Sequence, residues 1–378
     1  MTAGASGDGL RVALVVNNAS RMGGAERQCL LLAGELARRG WTPMLLSLAG
    51  DGPVLDQARR QGLATGAATL RYPLSPWHFP LNLRRALRLF LRHRPEIIVG
   101  YTSVPNLYAG WVRRWCGARA FLWNQRNEGL DRPPVFLERV AANNARAFVA
   151  NSPSGADFLA RALGVKGEAC RLIPNGVEIP VRPAGAERSS SGTMRVICVA
   201  NGRPVKDHET LLRAWSRVQE EIRRLGVTAR LCLAGDFEGE PDPARRIRDL
   251  AGAPEMGGSV EFAGAVEEVS ALLSGGDIGV LSSRSEGMPN AVLEYMAAGL
   301  PVVATDLPGT RQALGEEAGP WLVPPGDAEA LAGRLLDMLG HAALRSQWGR
   351  RNRERAIREF SVEAMGERMA AVLREAMA

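Results

Sequence analysis

Residues 283–309 read SRSEGMPNAVLEYMAAGLPVVATDLPG, which is the most informative stretch of the chain. Its periodicity predicts a helix over Asn290–Ala298, followed by the apolar strand Val302–Thr305. Glu286 then lies in the loop before the helix, and Glu294, eight residues later, lies along it. This order is typical of a parallel α/β sheet, which binds ligands at the carboxyl ends of its strands.

The loop Gly287-Met288-Pro289-Asn290 places backbone N–H groups at the start of that helix. A helix N-terminus attracts anions, and carboxylates beside it can accept hydrogen bonds from hydroxyl groups. The combination favours a site for a sugar attached to a phosphate. The alternative is an ordinary capped helix with two solvated glutamates.

A second stretch, residues 200–215, reads ANGRPVKDHETLLRAW and follows the predicted strand Met194–Ala200. Arg203 offers a planar fork for phosphate oxygens, and Lys206 offers a compact charge. Two cations facing a helix N-terminus would stabilise a diphosphate leaving group. Lys206 is one of only two lysines in the chain, which favours this function over a solvated loop pair.

Short apolar runs alternate with helical patterns along the whole chain, which indicates a mostly parallel sheet in each of two domains. Gly23-Gly24 occupies the first strand-to-helix turn, although no G-x-G-x-x-G motif is present. The predicted domains are residues 1–176 and 194–348, joined by a linker over 177–193 and followed by helices over 349–378. The predicted strands are 10–16, 44–48, 97–99, 120–123, 147–150, 194–200, 229–234, 260–262, 278–281 and 302–305.

Length and composition exclude several classes of protein. The 378 residues suffice for two or three domains, and 46% hydrophobic with 23% charged residues is ordinary for a globular protein. Five cysteines without a Cys-x-x-Cys pair, and four scattered histidines, argue against a disulfide framework or a zinc site. No apolar run reaches the length of a membrane span, and no signal peptide is evident, so we expect a cytoplasmic protein.

The net charge of +7 is unevenly distributed. Residues 1–190 carry 25 basic and 13 acidic residues, whereas the remainder has a net charge of −5. Leu81–Arg94 reads as a basic amphipathic helix, with Leu83, Leu87, Phe90 and Leu91 on its apolar face. Two interpretations stay open: peripheral docking on an anionic membrane surface, or an apolar face in the core with solvated arginines. Nucleic acid is not expected as a partner, because no DNA- or RNA-binding motif is present.

These stretches, in this order, resemble the retaining GT-B glycosyltransferases of family 4, also called glycosyltransferase group 1. The resemblance runs from about Leu10 to Ser361 and is most specific at the Glu-x7-Glu element. It implies two Rossmann-like βαβ domains facing each other across a cleft, the first on the acceptor side and the second binding the nucleotide sugar. It also implies C-terminal helices that cross back to the first domain.

The implied reaction is transfer of a sugar, typically a hexose, from a nucleotide-diphosphate sugar to a hydroxyl of a glycan or lipid-linked acceptor. The anomeric configuration is retained, no metal or other cofactor takes part, and the product belongs to polysaccharide, lipopolysaccharide or glycolipid assembly. The alternative is a catalytically silent protein of the same fold that binds a nucleotide sugar or acts as a scaffold.

The resemblance also assigns roles to residues. Glu286 would hold the donor sugar and act with Arg203 and Lys206 in catalysis, while Glu294 would hold the ribose. No histidine follows the predicted strand 120–123, where many relatives have one, so Arg126 or Asn127 would contact the sugar or the acceptor. The implied donor-binding set is Gly23, Gly24, Arg203, Lys206, Glu286, Gly287, Met288, Asn290 and Glu294.

Overall fold

The protein is described by a computed structural model over residues 9–71, 76–126, 136–181, 192–237, 241–266 and 268–378. The chain divides into two compact units. One unit contains the residues up to Gly176 together with Val362–Ala378, and the other contains Val177–Ser361.

The first unit is built around a parallel sheet of seven strands in the order β3-β2-β1-β4-β5-β6-β7. In the described part of this unit, six helices connect the strands. The strands are β1 Arg11–Val16, β2 Thr42–Ser47, β3 Ala64–Ala67, β4 Ile97–Tyr101, β5 Ala120–Gln125, β6 Ala147–Ala150 and β7 Cys170–Leu172. The helices are α1 Gly24–Arg38, α2 Pro53–Arg60, α3 Phe79–His93, α4 Ser103–Val112, α5 Phe136–Ala142 and α6 Pro153–Leu163.

Both faces of this sheet are covered, as the continuous apolar run of β1 requires. Val12 and Leu14 point into one core cluster, whereas the intervening Ala13 and Val15 point into the other. All four side chains are fully buried. The alternation places the helices on both sides of the sheet and leaves the carboxyl ends of the strands to the loops.

The second unit has a parallel sheet of six strands in the order β10-β9-β8-β11-β12-β13. Val303 of this sheet points into one core cluster, and its neighbours Val302 and Ala304 point into the other. The strands are β8 Met194–Val199, β9 Ala229–Ala234, β10 Val260–Gly264, β11 Ile278–Leu281, β12 Val302–Thr305 and β13 Leu322–Val323. The helices are α7 His208–Leu225, α8 Pro241–Ala251, α9 Val269–Ser274, α10 Asn290–Ala298, α11 Pro308–Leu314, α12 Ala328–Gly340 and α13 Ala342–Arg355.

The C-terminal helix, α14, spans Val362–Met377 and belongs to the first unit. Met365, Met369 and Leu373 recur at helical spacing and fill the core cluster that also contains Val12 and Leu14. The predicted return at residue 349 is therefore placed too early. Helix α13 stays with the second unit because Asn352 donates a hydrogen bond of 2.9 Å to the carbonyl of Leu300.

Helix α3 uses most of its apolar side chains within the first unit. Ala86, Leu89 and Phe90 are buried, and Leu83 packs beside them as a partly buried neighbour of the same cluster. Leu91 was predicted on this face, but it is 47% exposed. The apolar face is therefore mainly a core face. Among the described residues, no helix has the length and apolar character needed to cross a membrane.

Candidate functional site

The predicted cations and the predicted carboxylate lie at the same edge of the second sheet. Arg203 and Lys206 follow β8, and Glu286 follows β11. These strands are neighbours, although β9 and β10 come between them in the chain. Such a reversal of strand order opens a crevice at the carboxyl ends of the strands, where open α/β sheets bind ligands.

Lys206 and Glu286 meet directly. The ammonium nitrogen of Lys206 lies 2.5 Å from Oε1 of Glu286, and the two side chains are 24% and 13% exposed. The hydroxyl of the fully buried Ser283 donates a second hydrogen bond of 2.6 Å to the same oxygen. A charge-assisted hydrogen bond of this kind fixes the orientation of a carboxylate. Arg203 is exposed beside this pair of loops.

The two loops are bonded to each other at several points. The hydroxyl of Ser282 donates 2.9 Å to the carbonyl of Lys206, and the amide of Arg284 donates 2.8 Å to the carbonyl of Val205. The guanidinium of Arg284 lies 2.9 Å from a carboxylate oxygen of Asp207. The position of Lys206 is thereby tied to the loop that carries Glu286.

Asp207 anchors the first loop. Its backbone has a φ of 48°, which is unusual for a residue other than glycine, and its side chain caps α7 by accepting a hydrogen bond from the amide of Thr210. The sequence carried a signal for this role, because an aspartate before a helical run is a typical N-cap. Ser283 and Arg284 were missed as site residues, since their roles depend on the adjacency of β8 and β11.

The loop after Glu286 is closely fitted. A Cβ atom on Gly309, in α11, would lie 1.6 Å from the carbonyl oxygen of Gly287, so only glycine fits there. Met288 has a buried side chain. Asn290 begins α10 and Glu294 lies along it, both partly exposed. Apart from Arg203 and Lys206 on the loop after β8, the predicted donor residues of the second unit lie on this loop and the helix that follows it.

A buried histidine lies beneath the first loop. The Nε2 atom of His208 is 3.0 Å from the carbonyl of Asn201, and its ring lies 5.1 Å from the ring of Phe237. Burial lowers the pKa of His208 below its ordinary value, and the contact with Asn201 opposes that shift only in part. His208 is therefore neutral near pH 7 and acts as a packing residue rather than a proton carrier.

The first unit holds the remaining predicted residues, apart from Asn127, which lies outside the described residues. Gly23 is the N-cap of α1, which begins at Gly24. A Cβ on Gly23 would lie 2.6 Å from a carboxylate oxygen of Glu26. Burial raises the pKa of Glu26, and backbone hydrogen bonds at Glu26 and Gly23 oppose that rise. The carboxylate of Glu26, in the first turn of α1, thus caps the start of that helix.

Arg126 follows β5 at the carboxyl edge of the first sheet. Its Nη2 atom donates 2.5 Å to the side-chain oxygen of Asn175, and its guanidinium lies 5.4 Å from the ring centre of Tyr101. Burial lowers the pKa of Arg126. Sequence reasoning gave Arg126 as a contact residue without these partners.

Two parallel Rossmann-like α/β units, the second with cations and a carboxylate at its switch point, define the GT-B class of fold. Solved structures agree. The crystal structure of HepE from Anabaena in complex with UDP and glucose superposes with a TM-score of 0.79, covering 97% of this chain and 99% of that chain at 16% identity. The crystal structure of WaaG, a glycosyltransferase involved in lipopolysaccharide biosynthesis, superposes with a TM-score of 0.69. The match covers 96% of this chain and 99% of WaaG at 18% identity.

Sequence comparison identifies the family. The model described as "Glycosyltransferase Family 4" matches residues 22–179, and "Glycosyl transferases group 1" matches residues 193–341. The chain belongs to this family of GT-B glycosyltransferases.

The curated relatives with similar sequences are also named as glycosyltransferases. The lipopolysaccharide core biosynthesis glycosyltransferase LpsE of Rhizobium meliloti is 28% identical over 358 residues, which is 91% of this chain and 93% of LpsE. The putative glycosyltransferase EpsF of Bacillus subtilis is 26% identical over 249 residues, and the match spans 61% of this chain and 62% of EpsF.

Proposed function

We propose that this protein is a retaining glycosyltransferase that moves a sugar from a nucleotide-diphosphate sugar to a hydroxyl group of a glycan or lipid-linked acceptor. The observation that carries the proposal is the 2.5 Å contact between Lys206 and Glu286 at the β8/β11 edge. A cation and a hydroxyl-binding carboxylate side by side match the two ends of the bond that the reaction breaks. Arg203, exposed on the same loop, adds a second cation for the diphosphate.

In the proposed reaction the bond between the anomeric carbon and the diphosphate oxygen breaks, and the diphosphate keeps the electron pair. The acceptor oxygen bonds to the anomeric carbon on the same face, and its proton passes to the departing phosphate. Lys206 and Arg203 stabilise the charge that develops on the leaving group. Glu286, oriented by Ser283, accepts hydrogen bonds from the donor sugar. Two side-chain cations supply the charge compensation, so the proposal requires no divalent metal ion.

The proposed process is polysaccharide, lipopolysaccharide or glycolipid assembly. Support comes from LpsE and from the putative colanic acid biosynthesis glycosyltransferase WcaL of Salmonella typhimurium, which is 34% identical over 139 residues, 34% of each chain. Solved HepE complexes contain UDP or UDP-glucose, so UDP-glucose is the first donor to try.

Turnover tests this proposal. The full chain is incubated with UDP-glucose and other nucleotide sugars in EDTA, and release of free nucleotide is measured with and without glycan acceptors. We expect release that Glu286→Gln reduces at least about a hundredfold, because the substitution removes a preorganised charge at the reacting sugar. An exposed control, Glu329→Gln, keeps full activity. NMR of the product then reads the anomeric configuration, and an inverted product contradicts the retaining proposal.

The silent alternative predicts a different pair of results. A scaffold of this fold would bind a nucleotide sugar with the same dependence on Lys206 but would release no nucleotide with any acceptor. The paired and oriented Glu286 favours the enzyme, since a binding protein has no need of a carboxylate held beside the leaving-group cation.

We further propose that the first unit works on an anionic membrane surface. Arg84, Arg88 and Arg92 are exposed along one side of α3, and the partly exposed Leu91 lies among them. Trp77, just before this helix, is 91% exposed. Between Asp56 and Glu96 the chain has eight arginines and no acidic residue. Cations with apolar side chains among them are complementary to anionic headgroups above an acyl layer.

Vesicle sedimentation tests the membrane proposal. We expect binding to vesicles containing phosphatidylglycerol and none to pure phosphatidylcholine at low salt. Each cation near such a surface contributes about 1 kcal/mol, so changing Arg84, Arg88 and Arg92 to serine should weaken binding by roughly two orders of magnitude. The matched control changes three exposed arginines of the second unit, and equal loss in both variants contradicts a surface on α3. The control positions are Arg213, Arg217 and Arg246.

A further inference from the structure

Arg126 lies at the carboxyl edge of the sheet of the first unit. It directly follows β5, and Tyr101 ends the neighbouring strand β4. The order of this sheet reverses between β1 and β4, so the glycine loop after β1 and the end of β4 flank the switch point. Parallel strands bring these ends to one edge, which is where a ligand of this unit would bind.

The guanidinium of Arg126 is held in a fixed position. The side-chain oxygen of Asn175 accepts a hydrogen bond of 2.5 Å from Arg126 and one of 3.1 Å from the side-chain nitrogen of Asn151. Both asparagines are buried, with 4% and 2% of their surface exposed. The ring of Tyr101, also buried, lies beside the guanidinium. Such anchoring places a cation precisely before a ligand arrives.

This cation has no counter-ion among the described residues. A guanidinium has five N–H donors, and the contact with Asn175 uses one of them. Glu26, in the first turn of α1, directs its carboxylate over Gly23. Burial disfavours the charge on Arg126, and its pKa is lowered accordingly. Arg126 is only partly exposed, and charges largely removed from water are normally paired, so this one is suited to pair with an anion that binds there.

We propose that Arg126 binds an oxyanion of the acceptor, so that the acceptor carries a phosphate or a carboxylate group near the hydroxyl that receives the sugar. Arginine recognises both groups with the same planar pair of N–H donors. Asn151 and Asn175 act as positioning residues for that fork. The inference rests on the proposed function, because it assigns the first unit to the acceptor.

Calorimetric titration of the full chain tests the inference. Arg203→Ala and Lys206→Ala are introduced first, so that the proposed diphosphate site cannot bind the probes. Methyl phosphate, propionate and neutral glycerol are the three probes, and they distinguish a phosphate from a carboxylate as the anion. We expect one or both anions to bind and glycerol to remain unbound.

The comparison of variants then assigns the anion to Arg126. Arg126→Gln should weaken anion binding about tenfold or more, because it removes a charge-assisted bidentate contact, while Arg126→Lys keeps part of it. Arg119→Gln is the matched control, since Arg119 is exposed at the opposite end of the same strand and should change nothing. If Arg126→Gln destabilises the fold, the affinities of the other variants still test the inference. We then expect the anion to bind more weakly to Arg126→Lys than to the chain with Arg126, and equally well to Arg119→Gln.

Failure of this inference and failure of the proposed function give different results. Absence of anion binding, or equal binding in Arg126→Gln, overturns the inference even when nucleotide still stabilises the chain through Lys206. The converse result is that nucleotides fail to stabilise the chain while anion binding still depends on Arg126. That result overturns the proposed donor site and leaves an anion site in the first unit.

Discussion

Replacing Gly309 by alanine should displace the loop that carries Glu286 without touching any charged group. The new methyl carbon would lie 1.6 Å from the carbonyl oxygen of Gly287. Because an ordinary carbon–oxygen contact is about 3.3 Å, the two must separate by roughly 1.7 Å. Glu286 immediately precedes Gly287, so its carboxylate moves with that loop.

A misplacement of about 1 Å can cost roughly a hundredfold in turnover, and we expect a loss of that size for Gly309→Ala. Overpacking a close-fitted site also costs about 1–3 kcal/mol in the free energy of unfolding. The assays are the kcat for nucleotide release and urea unfolding. Gly333→Ala is the control, because nothing lies within 4 Å of its Cβ position in α12. A kcat for Gly309→Ala within about threefold of wild type would show that the position of this loop does not control turnover.

Three further predictions concern single side chains. Ser283→Ala should lower kcat about tenfold by removing the 2.6 Å hydrogen bond to Glu286, whereas the exposed Ser274→Ala should leave kcat unchanged in the same assay. Burial holds the pKa of His208 below its ordinary 6.5, so the unfolded state takes up the proton first and the free energy of unfolding falls as the pH drops below 6.5. His208→Gln should make this fall smaller when urea unfolding is compared at pH 7 and pH 5. An equal fall in the variant and the wild type would contradict the prediction. Met369→Ala should cost about 2–5 kcal/mol of unfolding free energy, because the side chain is buried in the core of the first unit, and a loss under 1 kcal/mol in calorimetry would contradict that packing.

The central strands could be predicted from the sequence because both of their faces are buried and their residues are continuously apolar. Three short strands were missed: β3, β7 and β13. Each is the last strand at an edge of its sheet and pairs on one side only. The residues of β3 and β7 are largely exposed or partly exposed, so apolar runs give no sign of them.

The charged side chains of the candidate site could be predicted from the sequence, but the hydrogen bonds that join its two loops could not. Arg203, Lys206 and Glu286 stand out because cations and acids follow strands. The hydrogen bond from Ser282 to the Lys206 carbonyl joins residues 76 positions apart, and only the adjacency of β8 and β11 creates it.

The helices after residue 349 were expected, from the resemblance, to cross back to the first domain. The charged segment at their start instead packs within the second unit. In the structure, Arg355 donates 2.8 Å to the carbonyl of Ala313, and Arg353 donates to the carbonyl of Ala297. Backbone carbonyls at helix ends are acceptors that a sequence does not display, so the point of return at Val362 could not be read from it.

Thermal unfolding with UDP, GDP, ADP and dTDP in EDTA tests the central claim, that the β8/β11 edge binds the donor diphosphate. A nucleotide at about 100 times its dissociation constant should add about 2.7 kcal/mol to the stability of the chain that binds it. We expect one nucleotide to do so, Arg203→Ala/Lys206→Ala to abolish the effect, and substitution of Arg230, an exposed arginine of β9, by alanine to preserve it. Stabilisation that survives the double substitution, or no stabilisation by any nucleotide, would contradict this claim.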